Sequence, residues 1–133
     1  MTTVTEAIKT VLDNAADVQA LVGNGDSPET YRIFPILAPQ EVTKPYIVFH
    51  KISGNTIEPM DAGAGSGNGT ENLRFRFTCW DDDITVSQDL AKKLQTALRA
   101  ATTFAAVNVY DRDDYEVETQ LYSVSLDFSI WYK

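Results

Sequence analysis

Two strict alternations constrain this chain more than anything else in it. In ENLRFRFTCW, residues 71–80, Leu73, Phe75, Phe77 and Cys79 fall on one side, with Asn72, Arg74, Arg76 and Thr78 on the other. LYSVSLDFSIWY, residues 121–132, does the same: Tyr122, Val124, Leu126, Phe128, Ile130 and Tyr132 oppose Leu121, Ser123, Ser125, Asp127, Ser129 and Trp131. Successive side chains of a strand point to opposite faces, so a period of two fits a sheet that is packed on one side only. A helix would scatter the same apolar residues around its circumference. The chain must therefore build a half-buried antiparallel sheet and find a cover for its apolar face.

The cover is legible as helical periodicity. Thr3-Val4-Thr5-Glu6 reads as a capping box opening a helix, and Ile8, Val11 and Leu12 recur at helical spacing behind it. Asn14 interrupts and re-caps a second short piece carrying Val18, Leu21 and Val22, which Gly23 and the run Asn24-Gly25-Asp26-Ser27-Pro28 bring to a stop. Thr85-Val86-Ser87-Gln88 is a second capping box. The helix it opens runs to about Ala101, with Leu90, Leu94, Leu98, Ala91, Ala97 and Ala101 on its buried stripe. Asp81, Asp82 and Asp83, where a strand turns into this helix, suit capping and the positive end of its dipole.

Three further stretches read as extended. YRIFPILAP is punctuated by Pro35 and Pro39, and proline cannot donate to a ladder, so it is an edge strand or an extended arm. YIVFHKIS is a strong strand whose first residues are apolar on both faces, as for a central strand or one near a subunit contact. AAVNVYDR is the third. With no internal repeat and no linker, the expectation over residues 1–133 is one α+β domain. It has a mostly antiparallel four-stranded sheet, helices packed on one face and a long glycine-rich hairpin loop. At this length a single core is sufficient without disulfide staples.

The glycine-rich segment DAGAGSGNGTEN, residues 61–72, invites a phosphate-binding reading, which its spacing refuses. The dinucleotide fingerprint needs glycines at relative positions 1, 3 and 6 opening a helix. Counted from Gly63 the last falls on Asn68, counted from Gly65 on Thr70, and a strand comes next. The expected connection from Asn55 to Thr70 spans 16 residues, far beyond the usual hairpin, and suits a partner-contacting element.

Other chemistry is sparse. The net charge of −8, from 19 acidic and 11 basic residues, opposes nucleic-acid phosphate. The lone Cys79 excludes an internal disulfide and thiolate zinc clusters, and the lone His50 leaves no histidine pair. His50 reads as a structural strand residue and Cys79 as core, with a Cys–His couple left open in case their strands are neighbours. YDRDDYEVE departs from the calcium-loop template, with Tyr115 and Glu116 where the last ligand and the glycine belong, and reads as a solvated hairpin turn. The N-terminus has no signal-peptide pattern and no segment reaches membrane-spanning length, so a cytoplasmic site of assembly is expected.

In order and spacing, several stretches together resemble the tail completion or tail terminator proteins of long-tailed phages and phage-like particles. They are ALVGNGDSPETYRIFPILAPQ, KPYIVFHKISG, LRFRFTCWDDD, SQDLAKKLQTAL and the closing aromatic strand. The glycine-rich insert is longer than the family leads one to expect. The resemblance implies a non-enzymatic virion protein of the tail and neck, assembled in the bacterial cytoplasm. It would form a hexameric ring that caps the tail tube, halts its polymerisation and joins tail to head. Implied partners are further copies of itself, the tail-tube protein and a connector or neck protein, with no cofactor, no membrane and DNA only passing through. A closed ring needs two different sticky patches. The candidates are Ile33, Phe34, Pro35 and Tyr46 on the proline-punctuated arm and the following strand, and Asp61, Gly63, Gly65, Gly67, Asn68 and Gly69 in the glycine-rich segment. A head-completion or neck protein of similar fold stays open as an alternative, as does a small ligand-binding or hydrolytic protein using His50.

Overall fold

The structure, a computed structural model, describes residues 3–23, 32–36, 44–57, 70–102 and 104–132. The first helix, α1 (Val4–Asp13), starts as its capping box predicts: the Glu6 backbone N–H donates to Thr3 Oγ1 at 3.2 Å. Asn14 ends α1 as its C-cap, but it does not cap the second helix. That helix, α2 (Ala16–Val22), has Ala15 at its N-cap with no side-chain cap and closes on Gly23. The long helix α3 (Ile84–Arg99) begins one residue before Thr85, because Asp83 is the stronger cap: its Oδ1 accepts the Thr85 backbone N–H at 2.9 Å. Thr85 thus lies inside the first turn, correcting the expected second capping box.

The strands are β1 (Ile33–Pro35), β2 (Tyr46–Ile57), β3 (Thr70–Asp81), β4 (Ala105–Glu116) and β5 (Leu121–Tyr132). They form a five-stranded sheet in the order β1-β2-β3-β5-β4, with β1 parallel to β2 and every other pair antiparallel. The sheet is therefore mixed and has one strand more than the four expected. The extra strand is the proline-punctuated segment, which is too short to show a period. It is an edge strand as proline demands, and its ends are pinned by Ile47 N–H to Arg32 O at 2.9 Å and Ile36 N–H to Phe49 O at 2.7 Å.

Two other expectations change. The β2–β3 ladder continues through Asn55↔Asn72, Thr56↔Glu71 and Ile57↔Thr70, so only residues 58–69 connect these strands. That connection lies outside the described residues, and with it the expected glycine-rich hairpin loop. The acidic segment YDRDDYEVE is solvated, but most of it is strand: β4 runs to Glu116, and the turn falls at residues 117–120 with Gln120 at φ 56°.

The register puts the core where the alternation places it. Cys79↔Val124, Phe77↔Leu126, Phe75↔Phe128 and Leu73↔Ile130 are paired and buried on one face. Phe49 stacks on Phe77 at 5.6 Å between ring centroids, and Phe77 meets Phe128 edge-on at 5.7 Å. Helix α3 lies over β3 and β5 and adds Leu90, Leu94 and Leu98, while α1 and α2 pack on α3. Arg32, itself buried, ties α2 to the start of β2: its Nη2 donates to Leu21 O and its Nε to Pro45 O, both at 2.9 Å. A cation at the carbonyl end of a helix also complements its dipole.

Candidate functional site

With the helices gathered on one face, the other face of the sheet has no helix over it among the described residues. By the same alternation that face carries Tyr46, Val48 and His50 from β2, Arg74, Arg76, Thr78 and Trp80 from β3, and Ser125, Asp127, Ser129 and Trp131 from β5.

Asp127 lies at its centre. The carboxylate is 1% exposed although no helix covers it, because two guanidinium groups close over it. Arg76 Nε donates to Oδ1 at 2.8 Å, Arg76 Nη2 to Oδ2 at 3.2 Å, and Arg74 Nη2 to Oδ2 at 3.0 Å. Burial opposes ionisation of this carboxylate, but the hydrogen bonds and charges of Arg76 and Arg74 outweigh it and hold its pKa below the usual range. Both arginines remain substantially open to solvent, with side-chain exposures of 46% for Arg74 and 42% for Arg76. The Arg76 pKa is raised, first by its hydrogen bond to Asp127.

At the β1 end the face is aromatic. Tyr46 stacks on Trp80 with centroids 6.3 Å apart and approaches Phe34 at 6.5 Å. Burial raises the Tyr46 phenol, and the Glu116 carboxylate adds to the rise, which brings the charge of β4 toward this end of the face. At the opposite end Trp131 and Val107 are 41% and 55% exposed, and Asn72 Nδ2 donates to Ser129 Oγ at 2.8 Å.

Of the residues expected from the sequence, Phe34 and Tyr46 are brought together, half-buried, and Pro35 is exposed beside them. Ile33 is turned into the chain's own core at 1% exposure. Asp61, Gly63, Gly65, Gly67, Asn68 and Gly69 lie outside the described residues. The Cys–His couple left open by the sequence is ruled out. Cys79 is paired with Ile47 on the helix-covered face, whereas His50, opposite Arg76, belongs to the other face. Burial pushes the Cys79 thiol far up, so it stays protonated and inert. Among the described residues no three His, Cys, Asp or Glu side chains are grouped to hold a metal ion, and no helix is long and apolar enough to cross a membrane.

Sequence reasoning passes over Arg74, Arg76, Asp127 and Trp80 as sites, because a polar stripe reads as solvated until the strand register pairs it. The signal is present in the two alternations: an Arg-x-Arg on one polar face and a single aspartate on the other. Ile36 is also missed. It sits at φ 70°, a conformation β-branched residues avoid, and its side chain is 77% exposed at the end of β1. Chemically this surface is suited to recognition. It offers guanidinium donors, aromatic rings and an exposed edge strand.

The sequence matches the family model for tail completion protein gp17 over residues 6–133. Among curated proteins no match is found. Among solved structures, the fold is similar to a chain in the virion of a native gene transfer agent particle, with a TM-score of 0.65 at 14% sequence identity. That likeness covers 96% of this chain and 92% of the other, and at such identity it speaks for the fold alone.

Proposed function

The chain belongs to the tail completion protein family, and from that premise we propose that it caps the tail tube as a hexameric ring. The family places it among the structural proteins of the phage tail, in the tail and neck region of the virion. Within that role, the ring stops tube polymerisation and presents the surface on which the head connector or neck protein docks. Its partners are copies of itself, the tail-tube protein and the neck protein, and it works without a cofactor and without catalysis.

The sheet face that no helix covers among the described residues supports this reading most. A face that is aromatic at one end and arginine-centred in the middle suits protein contact. Phe34, Pro35 and Tyr46, with Ile36 beside them, form one of the sticky patches a closed ring needs, and the segment containing Asp61, Gly63, Gly65, Gly67, Asn68 and Gly69 contacts a neighbour. An acidic lumen lets DNA slide past without adhering, in keeping with the net charge of −8.

The test is to mix the purified protein with tail tubes and image them by negative stain. Rings at one end of each tube, and tubes that no longer elongate, are expected. Tubes that stay bare and keep growing would contradict the reading. Binding to isolated necks but never to tubes would move the protein to head completion instead.

A further inference from the structure

Resting on the ring reading, which names an apolar patch but no complementary pair of surfaces, a further contact follows from two exposed patches of opposite charge among the described residues. The first is the arginine pair. One carboxylate faces two guanidinium groups, so the cluster keeps one uncompensated positive charge on an open surface. Asp127 engages only part of the donor set, since each guanidinium carries five N–H groups. It also fixes both arginines in place beforehand, so a second carboxylate meets donors that lose little further freedom on binding.

The second patch is the distal β4–β5 hairpin, where every residue from 111 to 120 is exposed. Asp111, Asp113, Asp114, Glu116 and Glu118 face a single basic residue, Arg112. Exposed apolar side chains lie among them, Tyr115 at 43% and Val117 at 78%. Asp113 is held by Gln88 Nε2 at 2.7 Å, which steadies the hairpin against α3.

Asp114 and Glu116, paired with Ser123 and Leu121, share the arginines' face, but Asp111 and Asp113 cannot meet the arginines within a single copy. Asp111 pairs with Leu126 and Asp113 with Val124, both on the helix-covered side of β5, whereas Arg74 and Arg76 belong to the opposite face. Their carboxylates can reach such arginines only on a neighbour. We propose that the acidic hairpin, residues 111–118, of one copy docks on the Arg74–Arg76–Asp127 cluster of the next, and that this head-to-tail contact closes the ring. Two distinct, complementary patches are what a heterologous interface requires. The charge balance favours a second copy over DNA as the occupant, because a chain of net charge −8 repels phosphate from most of its surface.

The test uses the full chain, in sedimentation velocity over a concentration series and in tube-capping assays. The double substitution Asp111→Lys/Glu118→Lys changes two exposed side chains that make no hydrogen bond among those described. It should weaken self-association, or ring occupancy on tubes, by about tenfold or more without altering thermal unfolding. Arg74→Glu alone should weaken association similarly, while leaving Asp127 its two bonds from Arg76. Combining it with the hairpin substitutions should restore association toward wild type. If Arg74→Glu fails to fold, the hairpin variant decides alone. Association unchanged in the hairpin variant would overturn this contact while the ring reading stands. A wild-type protein that stays monomeric even on tubes would overturn the ring reading and this contact with it. Salt-dependent binding of wild type to short duplex DNA, lost in Arg74→Glu, would assign the arginines to phosphate and also overturn the proposal.

Discussion

The two faces of the sheet are made from the same strands, yet they are different materials. On the helix-covered face Phe49, Phe77 and Phe128 are fully buried in one cluster with Leu90, Leu94 and Leu98. On the other face the carboxylate of Asp127 is buried beneath arginines that themselves stay accessible. The difference follows from the alternation: every second residue serves the core, and the residues between them are free to serve recognition. Stability should therefore depend steeply on the first set and weakly on the second, with assembly depending the other way round.

The steepest test is Phe77→Ala. Removing a ring packed against both Phe49 and Phe128 leaves a cavity where three elements meet, and should cost about 3–5 kcal/mol in denaturant unfolding. A loss under about 1 kcal/mol would mean that this face is not the core.

Asp127→Asn probes the other face. The folded carboxylate pKa is lowered, so its stabilisation is complete above the unfolded value of about 3.9 and disappears as pH falls through the lower folded value. At pH 7 the substitution should cost about 2 kcal/mol, given hydrogen bonds to charged but half-exposed partners. The gap between variant and wild type should close as the medium is acidified below the ordinary carboxylate range. A gap independent of pH would show that Asp127 acts by shape and not by charge. Asp81 works in the opposite sense: burial raises its pKa, so its contribution favours the fold at low pH and fades as pH rises.

A smaller effect belongs to the helix start. Asp83→Ala removes the N-cap of α3 and should lower stability by about 1 kcal/mol, whereas Thr85→Ala should change it far less. Equal costs would restore Thr85 as the cap. The smallest effect on folding is expected for deletion of residues 62–69, a run of glycine, alanine, serine and asparagine. It should leave unfolding unchanged and reduce tube capping, and full capping by the deletion variant would make the segment a spacer.

The contrast between the faces also explains how much of the fold and the site is legible in the sequence. The β3 and β5 alternations assign Leu73 through Cys79 and Tyr122 through Tyr132 to their faces, because a period of two is a local property. The Arg74–Arg76–Asp127 cluster is not local: it joins residues about fifty positions apart and exists only once Arg76 is registered against Asp127. Strand β1 escapes a count of strands because three residues ending on a proline show no period, and its parallel pairing with β2 is invisible for the same reason. The start of α3 shifts by one cap because two capping signals overlap there, and the aspartate takes precedence over the threonine.

The central claim, that the helix-covered face folds the chain while the bare face binds its partners, is tested most directly by hydroxyl-radical footprinting of the free protein against the tube-bound protein. Tyr46, Trp80 and Trp131, with Tyr110 opposite Asp127 on β4, should lose reactivity on assembly, while the outward residues of α1 and α3 keep theirs. Protection on the helices with these four aromatics unchanged would contradict the account.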